Sequence, residues 1–212
     1  MPRFLIVCDV DSTLIDQEVI DLISAEAGVS ERVSEITEQA MRGELDFKES
    51  LTERVALLEG TDTRLIEAVQ AKISITKGAA ELVNAVHKSD GLIAAVSGGF
   101  HEVLDPIAKR LGLDFWFANR FQVADGKLTG KVEGEIVDSA SKQGFLLKLA
   151  ADNGIAVQNT IAVGDGANDI PMLQTAGIGV GFCAKRIVKE SVAVNLEVRD
   201  LSLVGSLFGY AV

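Results

Sequence analysis

Proline and cysteine are both scarce. Three Pro in 212 residues, with no low-complexity stretch and no block of Ser, Gly or charge, leave nothing that reads as a flexible linker. A second unit would therefore be inserted into the first rather than strung after it. The two Cys, Cys8 and Cys183, fit no disulfide framework or metal spacing, and in apolar surroundings they read as buried free thiols. The two His, His87 and His101, have no partner at ligand spacing and read as surface or capping residues. No apolar run approaches the roughly 20 residues of a membrane span, and no internal repeat is found. The opening, Met1-Pro2-Arg3 before Phe4-Leu5-Ile6-Val7, reads as a first strand and lacks a signal peptide's cleavage region. The expectation is a soluble cytoplasmic protein.

Positive charge is also in deficit. Against 31 acidic residues stand 20 basic ones, a formal net charge of −11, which repels nucleic acid and anionic membrane surfaces. Basic partners or small-molecule ligands remain open on charge, with the protein expected as a monomer or homodimer. An anionic ligand would require the field to be reversed locally by a cation, a Lys or Arg, and backbone N–H groups.

What is present is a hydrophobic content of 48%, enough for one sizeable core and a smaller satellite unit. Phe4 to Cys8 is a continuous apolar run ending at Asp9, the pattern of a strand buried on both faces of a parallel sheet. Leu92–Val96 ends similarly at Ser97-Gly98-Gly99, and Thr160–Val163 at Gly164-Asp165-Gly166, with Ile178-Gly179-Val180 soon after. Helical periodicity flanks these runs (Ala80, Leu82, Val83, Val86; Phe145, Leu146, Leu149, Ala150), so the fold class is α/β, doubly wound and mainly parallel. Between the first two strands, residues 16–76 show only helical spacing: Val19, Ile20, Leu22 and Ile23; Val33 and Ile36; Leu51, Val55 and Leu58; Leu65, Ile66 and Val69. A crossover needs only about a dozen residues, so this segment predicts an inserted helical cap, with residues 1–15 and 77–212 as the core. Asp125-Gly126 between Phe121-Gln122-Val123 and Lys127-Leu128-Thr129 predicts a small β-hairpin.

Ligands of open α/β sheets bind beyond the carboxyl ends of the strands, where Asp9, Asp11, Ser97, Asp165 and Asp169 fall. Asp9 and Asp11 at i and i+2 point to one side in extended chain. Clustered carboxylates call for a cation, and oxygen ligands favour Mg²⁺. Alone, each motif has a plain structural reading: a turn cap for Asp9-Val10-Asp11, a strand-to-helix turn for Ser97-Gly98-Gly99, a solvated lysine for Lys142 and a glycine turn for Gly164–Asp169.

Together, Asp9-Val10-Asp11-Ser12-Thr13-Leu14, Ser97-Gly98-Gly99-Phe100, Lys142 and Gly164-Asp165-Gly166-Ala167-Asn168-Asp169 resemble, in order, the four motifs of the haloacid dehalogenase superfamily. Glu18, Ala40-Met41-Arg42-Gly43, Phe47, Arg54-Val55, the hairpin Phe117-Ala118-Asn119-Arg120 to Gly130, and Phe182-Cys183-Ala184-Lys185 are similar to its phosphoserine phosphatase branch. The resemblance implies Asp9 as nucleophile of an aspartyl-phosphate route and Asp11 as general acid/base. It implies Mg²⁺ held by Asp9, Asp165, Asp169 and the Val10 carbonyl beside Asp11. Lys142, Ser97 and Gly98 would hold the phosphoryl group, with Asn168 supporting the loop. Glu18 would take the substrate ammonium, Arg54 its carboxylate, and Met41 and Phe47 its walls; on residues alone these four read as cap core and exposed helix charges. Val10 departs from relatives that often carry Phe there. The implied task is metabolic release of serine, the last step of its biosynthesis. Alternatives are transfer of the phosphoryl group to homoserine, action on another small phosphate ester, or a phospho-Asp signalling receiver.

Overall fold

A computed structural model describes residues 2–42 and 44–210, without the side chains of Met41 and Tyr210. The first strand, β1 (Leu5–Cys8), is wholly buried. Four helices follow, α1 (Val19–Ala27), α2 (Ser30–Met41), α3 (Phe47–Ala56) and α4 (Leu65–Lys72), then α5 (Ala79–Lys88), β2 (Leu92–Phe100), α6 (His101–Leu111) and β3 (Phe115–Asn119). A hairpin of β4 (Phe121–Ala124) and β5 (Lys127–Val132) precedes α7 (Ser139–Asp152), β6 (Thr160–Gly164), α8 (Ile170–Thr175), β7 (Ile178–Phe182), α9 (Arg186–Lys189) and β8 (Val194–Leu196).

Six strands form one sheet in the order β3-β2-β1-β6-β7-β8, and every neighbouring pair is parallel. Alternation along β1 explains its central place. Ile6 and Cys8 face a hydrophobic cluster with α5 and α6, while Leu5 and Val7 face a second one with α7 and α8. Strand order reverses at β1, so β1, β2 and β6 end around one crevice, the usual ligand position in such sheets. Among the described residues no helix is long and apolar enough to cross a membrane.

The helical spacings expected in residues 16–76 fall on α1 to α4. Val19, Ile20 and Ile23, Val33, Leu51 and Val55, and Ile66 and Val69 are buried, together with Leu58 just beyond α3. These side chains join the same hydrophobic cluster as Ile6 and Cys8, so insert and sheet share a continuous core. The insert leaves and returns through two adjacent strands of chain. Asp16 N–H donates to the Ser74 carbonyl at 3.0 Å and Thr76 N–H to the Leu14 carbonyl at 3.0 Å, around an antiparallel bridge between Ile15 and Ile75.

Three local expectations are corrected. Ser97-Gly98-Gly99 does not turn out of the sheet: β2 continues to Phe100, and its register against β3 shifts between Val96 and Phe100. Two glycines let this end of the strand bulge without leaving extended backbone. Phe117–Asn119 is not part of the hairpin but of β3, because its apolar residues pair with β2. The turn itself is as expected, with Asp125 at φ +50° and Gly126 at φ +73°, the two positive values of a type I′ turn. The hairpin is also tied to the insert: Gly60 N–H donates to the Leu128 carbonyl and Leu128 N–H to the Thr61 carbonyl, both at 2.9 Å. Finally, His101 is no simple cap. Its Nδ1 lies 2.8 Å from Asp105 Oδ1, and its Nε2 accepts from Ala118 N–H at 3.2 Å.

Candidate active site

The end of β1 is held by Asp9 N–H, which donates to the Val163 carbonyl of β6 at 2.8 Å. This bond aims the Asp9 carboxylate into the crevice. From α7, Lys142 Nζ lies 2.5 Å from Asp9 Oδ1 and 2.7 Å from Asp169 Oδ1. Lys142 is almost wholly buried, as are Asp9 and Asp169. Its burial requires pairing, since an isolated ammonium in a core costs several kcal/mol (roughly). Burial opposes its charge, yet Asp169 and Asp9 outweigh that cost and hold its pKa above the ordinary lysine value.

Asp169 is fixed from its other side, accepting from Gly166 N–H at 3.0 Å and from Asp165 N–H at 3.2 Å through Oδ2. The approach is so close that a Cβ on Gly164 would lie 2.5 Å from that oxygen, which explains the glycine. Carboxylate oxygens of Asp9, Asp165 and Asp169 lie within 4.8 Å of one another. Burial first, then the neighbouring Asp169, raises Asp9 well above the ordinary carboxylate range. The same causes, in the same order, push Asp165 up to about 6. Lys142 alone does not relieve this crowding; three buried, all-oxygen donors suit a hard divalent cation.

Asp11 goes elsewhere. The chain after Asp9 makes one tight turn, Val10–Leu14, closed by Ile15 N–H donating to the Val10 carbonyl at 3.0 Å. Within it Ser12 takes the left-handed conformation, φ +55°. The turn separates the two acids that an extended chain would have aligned. A Cβ placed on Gly99 would lie 3.2 Å from Asp11 Oδ2 and 3.0 Å from Ser97 Oγ, so Asp11 faces the end of β2 and lies outside the three-acid group. Its Oδ1 is buried with no hydrogen-bond partner. Burial, followed by the charge of Glu18, raises its pKa to about 8. The Val10 carbonyl, expected at the metal, already accepts one hydrogen bond and keeps one lone pair.

Ser97 is buried and its Oγ accepts from Gly99 N–H at 2.7 Å, leaving the hydroxyl proton free to donate into the crevice. The Phe47 ring from α3 packs on Gly98, where a Cβ would stand 2.7 Å from the ring. Site and insert therefore meet without a gap. Asn119 Nδ2 donates to the Gly98 carbonyl and Asn119 Oδ1 accepts from Val137 N–H, each at 2.8 Å. One buried amide thus ties the Ser97–Gly98 segment to the chain entering α7.

The sequence profile of the haloacid dehalogenase-like hydrolases matches residues 6–174. The chain belongs to this family. The phosphoserine phosphatase of Streptococcus thermophilus is 53% identical over 197 residues, covering 93% of this chain and 92% of that protein. Two solved structures superpose with a TM-score of 0.90 at 45% identity. One is a phospho-aspartyl intermediate analogue of phosphoserine phosphatase, covering 96% of this chain and 98% of that one. The other is a substrate-bound phosphoserine phosphatase complex, covering 96% and 97%.

Of the residues expected from this family's motifs, Asp9, Lys142, Asp165 and Asp169 converge directly, and Asp11, Ser97 and Gly98 line the adjoining wall. Asn168 is half-buried in the single turn Ala167–Asp169. Glu18 is exposed and accepts from Ser12 Oγ at 2.8 Å. Arg54 is half-buried on α3, its Nε donating to the Ser50 carbonyl at 3.1 Å. Burial lowers its pKa while Asp21, Glu18 and Asp11 act in the opposite direction, so Arg54, Glu18 and Asp11 share one electrostatic neighbourhood. The side chain of Met41 lies outside the described residues, as does Gly43. Cys8, fully buried and pushed up to about 12 by burial and then by Asp9, is an inert thiol beside the site.

Proposed function

We infer that this chain hydrolyses O-phospho-L-serine to serine and phosphate through a phosphorylated Asp9. One observation carries the reading: a buried carboxylate paired with a buried lysine shares its crevice with a second acid, Asp11, which faces the end of β2 and has a buried oxygen without a hydrogen-bond partner. That is a nucleophile beside an acid/base, the pair a two-step displacement needs. The solved relatives named as an aspartyl intermediate and a substrate complex support it.

In the first step an Asp9 oxygen bonds to phosphorus as the P–O bond to serine breaks, and Asp11 gives its proton to the departing oxygen. In the second, Asp11 takes a proton from water as that water attacks phosphorus, and Asp9 leaves as a free carboxylate. Lys142 stands where charge collects between Asp9 and the phosphoryl oxygens, and the Ser97 hydroxyl and Gly98 N–H donate to those oxygens. Asp9, Asp165 and Asp169, with the remaining lone pair of Val10 O, form the donor set for Mg²⁺. When bound it would add positive charge shared by nucleophile and phosphate. Glu18 and Arg54 suit the ammonium and carboxylate of the substrate, Phe47 and Met41 its walls, and Asn168 the loop. Residues 16–76 act as the cap that excludes bulk water. A cytoplasmic location suits the free thiols.

The test is phosphate release from L-phosphoserine with Mg²⁺ and with EDTA, in the presence and absence of homoserine. Expected are repeated turnovers, loss with EDTA, and free phosphate as the main product. Phosphohomoserine forming faster than phosphate would make this chain a phosphotransferase; a single turnover followed by a lasting phosphoprotein would make it a receiver.

A further inference from the structure

Arg199 stands far along the chain from every motif, yet its side chain reaches back to the base of the insert. Nε donates to Asp16 Oδ1 at 2.7 Å, Nη1 to the Ser12 carbonyl at 3.0 Å, and Nη2 to the Ile15 carbonyl at 3.1 Å and Thr76 Oγ1 at 3.4 Å. Asp16 Oδ1 also accepts from Thr76 Oγ1 at 3.3 Å. The guanidinium lies 5.8 Å from the centre of the Phe182 ring, a distance at which the aromatic face attracts it. Three groups meet on this one fork: the outgoing strand at Ile15 and Asp16, the returning strand at Thr76, and the turn that carries Asp11.

Ser12 is the informative contact. It is left-handed without being glycine, a conformation that persists where surroundings over-determine it. Its carbonyl is held by Arg199 and its hydroxyl by Glu18. It also directly follows Asp11. We propose that Arg199 is a positioning residue that locks the Asp11–Ser12 turn to both strands of the cap hinge, so that cap closure and acid/base alignment are set together. The kinetic part rests on the phosphatase reading; the mechanical part does not.

Only a planar fork serves several acceptors in fixed directions, whereas an ammonium is a point charge. The ion pair with Asp16 is also partly exposed, 36% and 41%, so its own contribution to stability is small. A purely structural role would therefore quicken exchange at the hinge and leave kcat unchanged. In Arg199→Ala, kcat on phosphoserine should fall about 10- to 100-fold, the effect of a small misplacement of a reacting group, with KM changing far less. Arg199→Lys should not restore it, while millimolar guanidinium added to Arg199→Ala should restore part. Hydrogen exchange at the Asp16 and Thr76 amides should quicken about tenfold in both variants, reporting local opening. Unchanged exchange refutes the mechanical link. Faster exchange with unchanged kcat, or full rescue by lysine, refutes the coupling to catalysis. If the parent protein does not turn over phosphoserine, the exchange measurement still decides the hinge role.

Discussion

The floor and the roof of the crevice are built differently. On the floor, Asp9, Lys142 and Asp169 are locked in buried bonds of 2.5 and 2.7 Å, and Asp169 is held again by two backbone N–H groups. On the roof, Glu18 is exposed with one contact from Ser12, and Arg54 keeps one bond to its own helix. The floor can be rigid because phosphoryl transfer asks the same geometry of every substrate. The roof must release and recapture a small molecule, so its polar groups keep unused capacity until a ligand arrives. On the proposed reading, reaction type belongs to the sheet and substrate choice to the insert.

The harshest way to break this contrast is Asp9→Asn. Turnover should fall by at least about 10⁴-fold, as when a nucleophile is removed, because Asp169, which also bonds Lys142, is committed through its other oxygen to two backbone N–H groups. The fold should survive: the amide oxygen still accepts from Lys142, and one buried negative charge disappears beside Asp165 and Asp169. A melting temperature within about 4 °C of the parent is expected. Substantial remaining activity would mean that a different group attacks phosphorus.

On the roof, Arg54→Ala should act on binding instead. Losing a charged hydrogen bond to the substrate carboxylate is worth about 1.5–3 kcal/mol, so KM for phosphoserine should rise roughly 10- to 100-fold. kcat should change less, and the melting temperature little, because Arg54 bonds only within α3. The sharper readout is discrimination. A phosphate ester with no carboxylate should be hydrolysed equally well by both proteins; if it suffers as much as phosphoserine, Arg54 belongs to the floor and the contrast fails.

Legibility in the sequence follows the same divide. The floor was readable because apolar runs that end in polar residues leave little choice: Phe4–Cys8, Leu92–Val96 and Thr160–Val163 are central strands, and their ends meet. Lys142 was placed by family resemblance, since nothing local distinguishes it from a surface lysine. The failures come from backbone detail and distant pairing. Asp11 parts from Asp9 because Ser12 turns left-handed, which no periodicity announces. Asn119 and Arg199 act through partners from 18 to 187 positions away, and contacts of that span leave no spacing to read. Phe117–Asn119 was drawn into the hairpin because a turn signal marks where a hairpin is, not where its flanking strands pair. The run Leu201–Tyr210, a series of 3₁₀ turns packed on α5 through Leu201 and Val204, has no sustained period of its own.

The seam between floor and roof offers the smallest effect and the most specific one. Asp138 caps α7, the helix that carries Lys142: its Oδ1 accepts from Ser141 N–H at 2.8 Å and from Ser141 Oγ at 2.9 Å, while Oδ2 lies 3.0 Å from Lys48 of α3. The Ser141 N–H first, then Lys48, depress its pKa from 3.8 to about 2. A depressed carboxylate stabilises the fold above its unfolded pKa and loses that contribution as pH falls through the folded value. Asp138→Ala should therefore cost about 1 kcal/mol at pH 6, the usual worth of an N-cap, and the difference from the parent should shrink between pH 4 and pH 2. Urea unfolding at pH 6, 4 and 3 reads this directly. Lys48→Ala should leave the cap bonds intact and lose less than Asp138→Ala at every pH. If the two variants are equally destabilised, the ion pair between insert and core, rather than the helix cap, holds the seam, and the roof is bound to the floor more firmly than its exposed charges suggest.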